Sequence, residues 1–276
     1  MRIPRTVPVA AIALVLVTPA ALAQSDRYAV ETDVISHETT QDIHVWYPDS
    51  DGGFPVVYAI HGLGGSGTGW DVIGPALASR GVVVFAPDYR STEDDGAHIA
   101  QDLECGYRYV REVATEFGGD VTQSVVFVGH SLGADMALYG GLDTTDFVPG
   151  GTYDLCFSGA PRPDAIVSIA GCYYEFEDQP FTFAASQYGS GDARAVLVGG
   201  EDDEICAAWQ SSDATDAFVA SGREATYVEV PDANHMTLIG RDFVDGEEVV
   251  VPDDPAAAEV VRLILDVVDG EHSAAE

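Results

Sequence analysis

Short, continuous apolar runs recur along the chain and predict buried β-strands. They cover residues 55–60, 82–85, 125–128, 165–170, 195–198 and 227–230. Runs without alternation are typical of central strands whose two faces are both covered, as in a parallel sheet. Two earlier segments, 28–35 and 43–47, alternate between apolar and polar residues, and they predict an antiparallel hairpin that leads into the sheet.

The segments between these runs have the apolar periodicity of amphipathic helices. In the clearest one, apolar residues recur every three or four positions from Ile99 to Phe117, and Gly118 then ends the pattern. Near the end of the chain, Asp254 is placed to cap a helix whose first residue is Pro255. This alternation of strands and helices predicts an α/β fold, in which a mostly parallel central sheet carries helices on both faces.

The N-terminus has the pattern of an export signal. Two arginines precede an apolar stretch over 9–17, and Ala21-Leu22-Ala23 matches the small-residue pattern of a cleavage site. The apolar stretch is shorter than the ~20 residues that a membrane span needs. We therefore expect residues 1–23 to be a signal peptide, 24–276 to form a single domain, and the mature protein to be secreted.

The chain is strongly acidic and contains no lysine. Its 12 arginines face 46 Asp and Glu, which gives a formal net charge of −34. Such a charge keeps a protein soluble but destabilises the compact state through self-repulsion, which salt screens. Because no basic patch is available to neutralise phosphates, we expect no nucleic-acid partner and, after signal cleavage, no membrane partner.

One predicted strand runs directly into a Gly-x-Ser-x-Gly motif. Residues 125–128 are followed by Gly129-His130-Ser131-Leu132-Gly133 and then by a helical stretch. A serine on such a sharp strand-to-helix turn projects its hydroxyl above the sheet, and the glycines remove side chains that would clash. We predict that Ser131 is a nucleophile and that the Leu132 N–H donates to an oxyanion. A structural serine in a tight turn is the alternative.

An activated serine needs a base, and the base needs an acid that orients it. His235 follows the last predicted strand in a polar loop, and the preceding strand leads into the acidic run 201–204. The resulting order Ser, Asp, His is the one that accompanies this type of nucleophile turn. We predict a triad of Ser131, Asp203 and His235, with Asp202 as the alternative acid.

A glycine-rich loop follows the predicted strand 55–60. It reads His61-Gly62-Leu63-Gly64-Gly65-Ser66-Gly67, and its glycines let backbone N–H groups approach a substrate closely. We expect Leu63 to supply the second oxyanion donor, with Gly64 as the alternative. The loop lacks the Lys-Ser/Thr ending of a nucleotide-binding loop. No histidine pair has the spacing of a metal site, and we expect neither a metal nor a cofactor.

Together these motifs resemble those of the α/β-hydrolase superfamily. His61-Gly62 is similar to its oxyanion motif and Gly129 to Gly133 to its nucleophile turn, while Asp88-Tyr89-Arg90 and Asp102 are similar to carboxylesterases of the feruloyl and acetyl-xylan esterase type. Those esterases often carry His-Gly-Gly-Gly where this chain has His-Gly-Leu-Gly. The resemblance implies hydrolysis of carboxylic esters, either small molecules or groups on a polymer. A serine peptidase or amidase of the same fold, and a non-catalytic binding protein, are the alternatives.

Four cysteines remain after signal cleavage, namely Cys105, Cys156, Cys172 and Cys206. An even number in an exported chain indicates two disulfides, with three possible pairings, and free buried thiols are the alternative. Cys172 and Cys206 follow neighbouring predicted strands on the side of the triad. We expect these two to pair and brace the acid loop, and Cys105 to pair with Cys156.

The segment between Cys172 and Arg194 is the usual place for a cap domain in such folds. It spans only about twenty residues, so we expect no large cap domain. Its aromatic residues are Tyr173, Tyr174, Phe176, Phe181 and Phe183. They either form a wall of the site or pack in the core.

Overall fold

The computed structural model describes residues 26–36, 42–92, 96–141, 161–173 and 193–270. The predicted signal peptide, Cys156 and the aromatic residues from Tyr174 to Phe183 lie outside them. No described helix is both long and apolar enough to cross a membrane.

Eight strands form the central sheet. They are Val30–Ser36 (β1), Asp42–Pro48 (β2), Val56–Ile60 (β3), Val83–Pro87 (β4), Val125–His130 (β5), Ala165–Ile169 (β6), Arg194–Gly200 (β7) and Ala225–Val230 (β8). Their order in the sheet is β1-β2-β4-β3-β5-β6-β7-β8. β2 pairs antiparallel with β1 and with β4, and all other neighbouring strands in the sheet are parallel to each other. The predicted parallel sheet and its leading hairpin are confirmed.

The described residues form five α-helices. They are Ile73–Ala78 (α1), Gly96–Val113 (α2), Leu132–Gly141 (α3), Ala208–Ala220 (α4) and Pro255–Val268 (α5). A 3₁₀ turn extends α2 to Phe117, and Gly118 ends it with a φ of 78°. Asp254 caps α5, as predicted, because its carboxylate accepts a hydrogen bond from the Ala256 N–H at 2.8 Å.

Helices cover both faces of the sheet. α2, α3 and α4 pack on one face, and α1 and α5 pack on the other. Alternate residues of β3 enter the two cores: Val56, Tyr58 and Ile60 face the first, and Val57 and Ala59 face the second. All five are almost fully buried. This double coverage explains why the strand is a continuous apolar run.

A second, two-stranded sheet follows β8. It pairs Arg241–Val244 (β9) with Glu247–Val250 (β10) in antiparallel register. Most of its residues are exposed, and it lies outside the continuous apolar runs identified in the sequence. The Arg241 guanidinium donates to the Thr68 carbonyl at 2.6 Å and pairs with Asp71 at 2.9 Å. These contacts fasten the hairpin to the loop that follows β3.

Helix α3 carries a buried carboxyl group. Asp135 is 4% exposed, and its Oδ1 atom has no hydrogen-bond partner in the described part of the chain. Burial raises the pKa of Asp135 well above its ordinary value, because the charged carboxylate is poorly solvated there. The folded protein therefore holds a proton at this site that the unfolded chain releases.

We expect Asp135→Asn to stabilise the protein near neutral pH. The unfolded carboxyl loses its proton near about pH 4, whereas the folded one keeps it to higher pH. Wild-type stability therefore falls as pH rises through this window. The amide does not titrate, so the gain in unfolding temperature should grow from about pH 4 upward.

Circular dichroism during heating, over this pH range, measures the effect. Asp213→Asn, an exposed change on α4, is the matched control. A gain that is independent of pH would contradict the assignment of a protonated Asp135.

Candidate active site

Ser131 lies in the tight turn between β5 and α3. Its φ of 56° is in the left-handed region that non-glycine residues rarely adopt. Its N–H donates to the Ile169 carbonyl at 2.9 Å. A Cβ atom added to Gly129 would lie 1.9 Å from the Gly133 carbonyl oxygen, and one added to Gly133 would lie 2.1 Å from the Ile60 carbonyl oxygen. The backbones meet so closely that the turn requires both glycines.

The predicted base and acid are in direct contact. His235 Nδ1 lies 2.8 Å from Asp203 Oδ2, and both side chains are buried in the loops after β8 and β7. Asp203 Oδ1 accepts hydrogen bonds from the N–H groups of Ile205 and Cys206, each at 2.8 Å. Asp202, the alternative acid, is exposed. The structure therefore places Asp203, and not Asp202, against the imidazole.

His130 connects the nucleophile turn to the loop of the base. Its Nε2–H donates to the His235 carbonyl at 2.8 Å, and the two ring centroids are 4.6 Å apart. Burial lowers the pKa of His130 to about 3, so the ring is neutral. The sequence pattern gave His130 no role beyond its place beside Ser131. Its signal is its position in the motif, directly before Ser131.

Ser131, His235 and Asp203 all follow the carboxyl ends of parallel strands, so they lie at one edge of the sheet. Among the described residues, no hydrogen bond joins the Ser131 hydroxyl to His235. Such bonds are often long before a substrate binds. A serine hydroxyl at the same sheet edge as a His–Asp pair is suited to nucleophilic attack on a carbonyl group once the base is within reach. No group of three or more His, Cys, Asp and Glu in the described ranges is placed to hold a metal ion.

The glycine-rich loop after β3 contains the predicted oxyanion donors. The Gly64 N–H donates to the Ser91 hydroxyl at 2.9 Å, so this alternative donor is already engaged. The N–H groups of Leu63 and Leu132 have no hydrogen-bond partner within the part of the chain described. The geometry therefore favours Leu63 over Gly64.

Tyr89 fixes the start of the same loop. Its ring stacks on His61 at 4.1 Å, and its hydroxyl donates to the His61 carbonyl at 2.6 Å. His61 Nδ1 donates to the Gly62 carbonyl, and its Nε2 accepts from the Tyr89 N–H. Burial lowers the pKa of His61 to about 4, so this ring is neutral near pH 7. Tyr89 and Ser91 support the loop from a distant part of the sequence, which no local pattern indicates.

Cys172 and Cys206 form a disulfide, as predicted, with their Cα atoms 4.7 Å apart. It joins the segment after β6 to the acid loop. Because the Cys206 N–H also donates to Asp203, the bond holds one of the donors that orient the acid. Cys105 is also disulfide-bonded. Its expected partner, Cys156, lies outside the described residues, so that pairing stays a prediction.

Tyr173 is a core residue. It is 3% exposed, and its hydroxyl lies 2.5 Å from the Ser168 hydroxyl. Of the two interpretations of the aromatic segment, packing in the core is therefore the correct one for this residue. The remaining four aromatic residues lie outside the described ranges.

Comparison with known families supports the fold. A model of the alpha/beta hydrolase family matches residues 57–169. That segment contains Ser131 and the glycine-rich loop, but neither Asp203 nor His235. No curated protein matches the chain significantly.

Several solved structures share the architecture. Esterase Est2 of the planctomycete Thermogutta terrifontis, with propionate bound, is 18% identical; the match covers 90% of this chain and 96% of that chain, with a TM-score of 0.65. Esterase B of Lactobacillus rhamnosis is 17% identical; the match covers 91% of this chain and 89% of that chain, with a TM-score of 0.66. A truncated carbohydrate esterase from gut microbiota is 17% identical; the match covers 90% of this chain and 98% of that chain, with a TM-score of 0.61. The protein has the α/β-hydrolase fold, so the predicted fold class is confirmed.

We expect the double substitution Cys172→Ser/Cys206→Ser to lower the free energy of unfolding by about 2–4 kcal/mol, because it removes a cross-link that restricts the unfolded chain. Denaturant unfolding of both proteins without reductant measures the difference and leaves the disulfide of Cys105 intact. An unchanged unfolding midpoint would show that this cross-link does not stabilise the fold.

Proposed function

We propose that this protein is an exported serine esterase, which hydrolyses carboxylic esters through an acyl-enzyme on Ser131. The observation that carries the proposal is the 2.8 Å contact between His235 Nδ1 and Asp203 Oδ2, at the sheet edge where Ser131 is held in its strained turn. The three solved structures described above are named as esterases, which supports the same chemistry here.

The reaction follows from these positions. His235 Nε2 accepts the Ser131 proton as the hydroxyl oxygen attacks the ester carbonyl carbon. Asp203 accepts the hydrogen bond from Nδ1 and so leaves Nε2 free to act as the base. The N–H groups of Leu63 and Leu132 donate to the oxyanion of the tetrahedral intermediate.

Collapse of that intermediate breaks the bond to the alcohol. The leaving alkoxide takes the proton from His235, and the acyl group stays on the serine oxygen. A water molecule then attacks the acyl-enzyme with His235 again as the base. The carboxylic acid leaves, and Ser131 regains its proton.

Export and the type of ester belong to the same proposal. The signal-like residues 1–23 support export, and so does the Cys172–Cys206 disulfide, because such bonds persist in oxidising compartments. A small-molecule ester is the simplest substrate. The likeness to a carbohydrate esterase supports an ester group on a polymer as the second substrate class.

We expect Ser131→Ala to abolish hydrolysis of p-nitrophenyl butyrate, because no nucleophile remains. Asp203→Asn should lower kcat by about 10⁴-fold, since the amide favours the wrong imidazole tautomer. Asp202→Asn is the matched control and should change little, because Asp202 is exposed. Steady-state kinetics of the folded variants, checked by circular dichroism, measure these effects.

Two results would contradict the proposal. One is full activity in Ser131→Ala, and the other is an equal loss in both aspartate variants. Comparable cleavage of a matched p-nitroanilide would instead favour the amidase or peptidase alternative.

We also expect Ser91→Ala to lower kcat by ~10-fold with little change in KM. The Gly64 N–H loses its acceptor, so the Leu63 N–H is held less firmly toward the oxyanion. Ser66→Ala is the control on the same loop, because among the described residues the Ser66 hydroxyl hydrogen-bonds only to the Thr68 hydroxyl, at 2.7 Å. An equal kcat in the two variants would rule out this role of Ser91.

A further inference from the structure

The placement of positive charge divides the molecule into two ends. Ten arginines follow residue 23, all of them among the described residues, and the chain has no lysine. Arg194 begins β7, and Arg162 and Arg223 lie within three residues of the first residues of β6 and β8. Arg80 precedes β4 and pairs with Asp26 at 3.5 Å. These four lie at the amino ends of the parallel strands, opposite the triad.

Four more arginines also lie away from the site. The backbone N–H of Arg27 donates to the Ser79 carbonyl, just before β4. Arg108 and Arg111 lie in the last two turns of α2, which leads toward the start of β5. Arg262 lies in α5 and pairs there with acids of its own helix.

Only Arg90 and Arg241 lie at the end of the sheet that carries the triad, and both are engaged. Arg90 forms two hydrogen bonds of 2.8 and 2.7 Å with Asp102, whose side chain is 2% exposed. Arg241 pairs with Asp71 and Glu248, and its side chain is 12% exposed. An anionic substrate group therefore finds no arginine at this end of the sheet that is not already paired with an acid.

Acidic and apolar side chains are exposed instead on the described loops that carry Asp203 and His235. Glu201, Asp202 and Glu204 are exposed on the acid loop. Asp232 is exposed close to His235. The apolar side chain of Ile205 is 51% exposed among them. The surroundings thus suit uncharged or positively charged groups.

We infer that the site selects against esters that carry negative charge and prefers cationic esters to neutral ones of the same shape. The inference rests on the proposed esterase function and names its substrate class. A cleft lined by charge of one sign concentrates ligands of the opposite sign and repels those of the same sign. The carboxylate product is repelled by the same field, which favours its release. Salt screens the effect.

The test uses three butyrate esters: the choline ester, its neutral isostere 3,3-dimethylbutyl butyrate, and the anionic 2-sulfoethyl butyrate. At the lowest salt at which circular dichroism shows the folded protein, kcat/KM should fall by ~10-fold at each step from cation to neutral to anion. At about 1 M salt the three values should converge to within about twofold, because the screening length is then only about 3 Å.

Matched variants locate the effect. Asp202→Asn/Glu204→Gln removes two charges beside the triad, and Glu116→Gln/Glu224→Gln removes two exposed charges at the opposite end. The first pair should reduce the cation-to-anion ratio severalfold, and the second should leave it nearly unchanged. An equal change in both would assign the selectivity to net charge and overturn the role of the site.

The failures are distinguishable. If the folded protein hydrolyses none of the three esters or p-nitrophenyl butyrate, the proposed function fails. If it hydrolyses the anionic ester as well as the neutral one at low salt, only the charge inference fails.

Discussion

Ser131 is held in a backbone conformation that costs a non-glycine residue of the order of 1 kcal/mol or more. The surrounding packing offsets this cost. The Ser131 N–H is bonded to Ile169, Gly129 lies against Gly133, and Gly133 lies against the Ile60 carbonyl. Three parallel strands and α3 therefore meet at one turn. A larger residue at either glycine would move the nucleophile and the oxyanion loop together, since that loop begins directly after Ile60.

The acid and the base are positioned by hydrogen bonds, and one of these connects the base to the same turn. Asp203 is oriented by two backbone N–H groups, and one of them belongs to the disulfide-bonded Cys206. His235 is held from the other side, because the neutral ring of His130 donates to its carbonyl. His130 precedes Ser131 directly, so the loop that carries the base is tied to the residue beside the nucleophile.

These contacts also explain which features the sequence predicts. The runs 55–60 and 125–128 identify strands correctly because both faces of each strand are buried. Which acid of the run 201–204 contacts the imidazole depends on which side chain is buried, and the three-dimensional structure determines that burial. The β9–β10 hairpin is short and exposed, and its signal in the sequence is the Asp245-Gly246 turn, where both residues have positive φ, rather than a long apolar run. The contact between Ser91 and Gly64 joins two loops through a hydroxyl group, and neither residue type signals it.

Arg90 and Arg241 connect the stability of the site to its charge. Arg90 ties the segment after β4 to Asp102 of α2, and Arg241 ties the β9–β10 hairpin to the loop after β3. Because these ion pairs use both cations at this end of the sheet, the loops are held in place while the acids beside the triad stay uncompensated. Salt has opposite effects on the stability of the fold and on the charge selectivity of the site. It screens the self-repulsion that destabilises so acidic a chain, and it weakens the field that distinguishes charged substrates. Rising ionic strength is therefore expected to make the fold more stable and the site less selective.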